Sequence, residues 1–232
     1  MNKHSRWTMV AHDLFVLQGT WTAWYIGIFL LINVVVHFFT AHLIGHNSNF
    51  LTISLQSARV YMLIIGIITA AEGTKTFVKM GITRGEYFKG NILSTILLGF
   101  LLVVSGVLIH AALGLILPGY DIAGYLSVDV LTEGFLQIIQ FYLVGWMIIL
   151  GFQRFTVLGG IVIIILNSGY MGLYQSLWNT EGILSDVNLF LYAVNIDILN
   201  LSFGQAAILS VVFTALTLWV INQLIMKLEI HA

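Results

Sequence analysis

The stretch that decides the fold is Glu72-Gly73-Thr74-Lys75-Thr76-Phe77-Val78-Lys79-Met80-Gly81-Ile82-Thr83-Arg84-Gly85-Glu86-Tyr87-Phe88-Lys89-Gly90-Asn91. Apolar runs flank it on both sides, and it carries Lys75, Lys79, Arg84 and Lys89. Thr74 to Met80 reads as a short helix with Gly81 as its C-terminal stop. Thr83 and Glu86 stand at capping-box spacing and start the next helix, which runs into the following apolar run. The segment is therefore expected to be an ordered helix, tight turn and helix. Positive flanking would explain its charges but not its glycine and its cap.

Outward from this link the chain is almost wholly apolar. Hydrophobic residues make up 59% and charged residues 8%, against about 25% charged in a soluble domain. A bilayer crossing needs about 20 apolar residues. Six candidates fit, at about 21–43, 58–71, 91–117, 134–152, 155–174 and 204–226. The second is short unless it begins at Leu51. Too few residues remain between spans for a separate soluble domain, so residues 1–232 are expected to form a single all-α polytopic membrane domain. The first run is too long for a signal-peptide core and no small-residue cleavage site follows it, so it is expected to stay as a span.

Charge sets the orientation. Eight of the nine Lys and Arg residues fall on one side of this topology: Lys3, Arg6, Lys75, Lys79, Arg84, Lys89, Arg154 and Lys227. Arg59 alone lies opposite, with Asp121, Asp129, Glu133, Glu181, Asp186 and Asp197. Cytoplasmic loops retain Lys and Arg, so both termini and the 72–90 loop are expected in the cytoplasm. Ahead of the first span, Trp7, Val10, Leu14 and Leu17 recur at helical spacing while Lys3, Arg6, His12 and Asp13 lie off that stripe. This predicts an amphipathic helix over 5–18 in the cytoplasmic interface, broken from the span at Gly19-Thr20. Residues 177–203 are too polar to span and too apolar for a solvated loop, so a half-buried outer segment is expected there.

Several chemistries are excluded or weak. With no cysteine, disulfides, iron–sulfur clusters and thiolate zinc sites cannot form. Asn167-Ser168-Gly169 has the form of a serine nucleophile, but no His base stands in the last span; Asp121 lies in an outer loop and lacks an intramembrane partner. His37, His42, His46 and His110 lie toward one side of the topology and offer an alternative reading, a histidine-liganded metal or haem redox protein; packing histidines account for them better, and no metal site is assigned. Asn33, His37, Gln137, Gln140 and Asn167 are the polar residues that could line an amphiphile path, with hydrogen bonding between helices as the equal alternative. No mid-membrane carboxylate suggests ion coupling. No phosphate-binding loop is present, so ATP chemistry would belong to another chain, and no nucleic-acid partner is expected.

The run Lys79 to Asn91 resembles the leucine-Gly-small-Ser/Thr-Arg-x-Glu-aromatic stretch of permease subunits in the type 2 permease family of ATP-binding-cassette transporters. The overall arrangement is similar too: an interfacial N-terminal helix, six spans with both ends inside, a helical loop between spans two and three, and a half-buried segment before span six. The short second span departs from that pattern. The resemblance implies a non-catalytic permease in the bacterial plasma membrane. Lys75, Phe77, Lys79, Met80, Gly81, Ile82, Thr83, Arg84 and Glu86 would then couple it to a separate cytosolic ATPase, which would hold the ATP and Mg. It further implies a second permease copy or paralogue, and export of an amphiphile such as a peptide or toxin. A non-transporting immunity subunit would share the same topology.

Overall fold

The structure, a computed structural model, describes residues 6–43, 50–116, 126–178 and 201–227. They form five helices: α1 (Arg6–Leu43), α2 (Phe50–Lys79), α3 (Arg84–Ile116), α4 (Val128–Ser176) and α5 (Phe203–Met226). No strand occurs among the described residues. Six segments are long and apolar enough to cross a membrane, because α4 supplies two of them, Val128–Phe155 and Val157–Ser176. A straight α4 would place Gln140 and Tyr170 roughly 45 Å apart at 1.5 Å per residue. Instead Gln140 Nε2 donates to Tyr170 Oη at 2.8 Å, and a Cβ at Gly151 would meet Ile163. The helix therefore folds back on itself next to Arg154, giving two antiparallel arms. By length and composition this is an all-helical, multi-pass membrane protein.

Two expected boundaries are corrected. The break at Gly19-Thr20 does not occur, and α1 runs unbroken from Arg6, so residues 5–18 are not set off as a separate helix. Thr20 and Thr22 turn their hydroxyls inward onto the carbonyls of Val16 and Gln18, and Gly19 alone does not end a helix whose neighbours favour it. Val10, Ala11 and Leu14 are buried in the bundle. Likewise the short second span at 58–71 is the middle of a longer helix, α2, which begins at Phe50 and whose last turns take up the expected short helix over 74–80.

α2 packs on α4, and α1 on α3. Close approach of α2 and α4 rests on two glycines. A Cβ at Gly66 would strike the Tyr142 carbonyl, and one at Gly145 would strike the Leu63 carbonyl. Small residues let apolar helices approach where no hydrophobic force separates protein from lipid. Around this crossing Trp146 meets Tyr87 edge-on at 6.1 Å and Tyr142 at 6.3 Å. Buried polar groups then tie four helices together: Gln18 donates to Thr69 at 2.9 Å and to Tyr142 Oη at 3.2 Å, while Ser94 donates to Gln18 at 2.9 Å. Tyr142 in turn donates to Asn91 at 2.6 Å.

This packing gathers the cations at one end. Arg6 Nη1 donates to the Gly81 carbonyl at 3.4 Å, Arg84 Nη1 to the Met226 carbonyl at 2.9 Å, and Gln153, beside Arg154, to the Ala71 carbonyl at 3.2 Å. The start of α1, the α2–α3 turn, the α4 reversal and the end of α5 therefore share one basic end of the bundle.

Candidate functional site

The α2–α3 turn is built from the residues the sequence singles out. Gly81 has φ +80°, a left-handed conformation open to glycine at little cost. Gly81 N–H donates to the Val78 carbonyl at 3.0 Å and Ile82 N–H to the Phe77 carbonyl at 3.1 Å, the paired closure of a Schellman motif. One residue later the next helix is capped. Thr83 N–H and Oγ1 donate to Glu86 Oε2 at 2.9 and 2.8 Å, and Glu86 N–H donates to Thr83 Oγ1 at 3.2 Å. This is the capping box expected from the spacing.

The side chains of this turn divide. Lys79, Met80, Gly81 and Thr83 are exposed, Met80 at 69%. Ile82 is buried at 5%, and half-buried Phe77 packs on Tyr87 with ring centroids 5.6 Å apart. Of the apolar residues that the resemblance assigns to ATPase coupling, Met80 points out while Phe77 and Ile82 turn inward, because the Schellman turn folds its own hydrophobic pair inward. Arg84 is tied to the end of α5, and the Lys75 side chain lies outside the described residues.

The polar residues expected to line an amphiphile path, where they are described, make contacts inside the bundle. Asn33 donates to the Phe29 carbonyl of its own helix at 2.9 Å, and α1 lies chiefly against α3. Gln140 bonds Tyr170 at 2.8 Å and Thr217 at 3.0 Å and accepts from Thr214 at 3.1 Å. It thus cross-links the two arms of α4 with α5. Asn167 is buried with its Nδ2 unpartnered. The side chains of His37 and His42, and all of His46, lie outside the described residues, whereas His110 is buried on α3. Among the described residues no group of three or more His, Asp or Glu could hold a metal ion.

A second site escapes the sequence reading. Toward the end opposite the cations, Arg59 on α2 is buried, with Nη2 3.9 Å from Glu133 Oε1 on the first arm of α4. Gln137 Nε2 donates to that same carboxylate at 2.9 Å. Tyr174, from the second arm, lies within electrostatic reach of Arg59 and beside Ser210 and Trp178. The uneven charge count left Arg59 as the one cation among the outer acids; that exception was the available signal. Periodicity could not convey that α2 and α4 cross there.

No protein-family model, curated protein or solved structure matches this chain.

Proposed function

We propose that this chain is the permease subunit of an ATP-driven exporter of amphiphiles in the bacterial plasma membrane. On this reading it is non-catalytic, paired with a second permease copy or paralogue, and energised by a separate cytosolic ATPase that holds ATP and Mg. One observation carries the reading: the α2–α3 turn is a stiff, cation-flanked projection joined to other helices at both edges. Arg6 holds Gly81 from α1, and Arg84 holds Met226 at the end of α5. A push on Met80 and Gly81 would therefore reach α1, α2, α3 and α5 instead of being lost in a slack loop. An exposed apolar side chain ringed by charge suits a protein contact. The cation bias supports a cytoplasmic placement for this end.

Co-purification from native membranes tests the reading. A stoichiometric cytosolic ATPase is expected with the wild-type chain and is lost in Met80→Asp, which alters an exposed side chain and leaves the buried Phe77–Tyr87 contact intact. Recovery of the chain without an ATPase would contradict it.

A further inference from the structure

We propose that Arg59, Tyr174, Trp178 and Ser210 form a binding site for an oxyanion, the carboxylate or phosphate class of group. Arg59 is the tenth residue of α2, roughly 14 Å along its axis at 1.5 Å per residue, so its guanidinium lies inside the bundle near the end away from the other cations. It is 8% exposed. Burying a guanidinium in a membrane bundle is costly, and such residues pair with something or mark a pathway. Its ionic partner among the described residues, Glu133, is at 3.9 Å, beyond hydrogen-bonding range. Glu133 also accepts from Gln137. The carboxylate thus offsets the charge near Nη2 at 3.9 Å without making a hydrogen bond to Nε.

The polar groups gathered about Tyr174, which faces Arg59 electrostatically, are chiefly donors. Arg59 Nε, Tyr174 Oη, Trp178 Nε1 and Ser210 Oγ are all buried and fall short of hydrogen-bond geometry, although Ser210 and Trp178 stand close enough to the Tyr174 hydroxyl to act on it. They come from α2, the second arm of α4, the turn that ends it, and α5, and Tyr174 is the common neighbour of the other three. Two acceptors, Gln56 Oε1 on α2 and Gln137 Oε1, are also unpartnered, but the donors outnumber them. Four helical segments do not bury four unsatisfied polar groups together without cost, at about 1–3 kcal/mol each. A cation or ammonium needs acceptors. An oxyanion is acceptor-only, and a guanidinium edge with hydroxyl and indole N–H groups is the donor set that fits it. Arg59 would supply the charge, Tyr174 and Ser210 the directional hydroxyls, and Trp178 the cover toward the bundle end.

Binding here does not depend on the permease reading, since it requires no ATPase. The test uses purified full-length protein in a neutral maltoside micelle, with thermal unfolding followed by tryptophan fluorescence. The probes are dodecyl phosphate, inorganic phosphate, dodecyltrimethylammonium and dodecanol. Dodecyl phosphate is expected to raise the midpoint saturably, and the cationic and neutral chains are not. Saturation by inorganic phosphate in the same concentration range would make the ligand a free anion; a much weaker response would make it the headgroup of an amphiphile. Either supports the site.

Arg59→Gln alone leaves Glu133 uncompensated and risks misfolding. The double variant Arg59→Gln/Glu133→Gln removes both charges, and is expected to weaken dodecyl phosphate at least about 10-fold, as for a lost charge-assisted hydrogen bond. Ser210→Ala and Tyr174→Phe should weaken it several-fold. The proposal is overturned if dodecyltrimethylammonium stabilises as well as dodecyl phosphate. It is equally overturned if dodecyl phosphate binds Ser210→Ala and Tyr174→Phe as it binds the wild type.

Discussion

Arg84 Nη1 donates to the Met226 carbonyl at 2.9 Å, joining the first residue of α3 to the last of α5 across 142 positions of chain. The last carbonyls of a helix have no partner within it, and a guanidinium there also meets the negative end of the helix dipole. The α2–α3 turn and the C-terminal end of α5 are thereby one mechanical unit.

Arg84→Ala should cut that unit without disturbing the core. The expected loss is about 1 kcal/mol, since the bond is exposed and charge-assisted. Hydrogen exchange should accelerate over the last turn of α5 and stay unchanged in α1. Uniform acceleration throughout the bundle would contradict the local tie.

The α2–α4 crossing should be the least tolerant place in the molecule. Gly66→Leu and Gly145→Leu each drive a side chain into a backbone carbonyl of the facing helix, and backbone cannot swing away as a side-chain end can. Both should lose more than about 3 kcal/mol, beyond the usual overpacking range, seen as absent or aggregated protein in detergent. Gly27→Leu, where a Cβ meets nothing within 4 Å, should express normally and serves as the control.

Tyr142→Phe removes a hydroxyl that meets both Gln18 and Asn91. The ring and its contact with Trp146 remain. Stranding the Asn91 carbonyl oxygen should cost about 1–3 kcal/mol, read as a lower unfolding midpoint. A variant as stable as the wild type would mean that Asn91 and Gln18 find other partners.

Much of the architecture was legible in the sequence because helical membrane segments announce themselves by length and hydropathy. The turn was legible too, since Gly81, Thr83 and Glu86 act within a few residues of one another. What escaped was set by distant contacts. Gly19-Thr20 looks like a break, but Val10 and Leu14 pack in the bundle and carry α1 straight through. Ile82 falls among the residues that the resemblance assigns to ATPase coupling, but the Schellman closure folds it in. Arg59, Tyr174 and Ser210 lie on three different segments, and only the crossing of α2, α4 and α5 makes them neighbours.

The orientation of the basic end can be measured cleanly, because the chain has no cysteine and any introduced thiol is unique. Met80 is 69% exposed in the α2–α3 turn, and Val128 is 74% exposed at the start of α4. In intact cells a membrane-impermeant maleimide should label Val128→Cys and spare Met80→Cys. Inverted vesicles should give the reverse. Labelling of both from one side would rule out the proposed topology.

The most direct test of the proposed function is ATPase stimulation in a membrane reconstituted with this chain and the cytosolic ATPase that co-purifies with it. Wild-type chain should stimulate hydrolysis. Met80→Asp should abolish both stimulation and binding, with the bundle's unfolding midpoint unchanged. Stimulation that survives Met80→Asp undiminished would contradict the assignment of the α2–α3 turn as the coupling site.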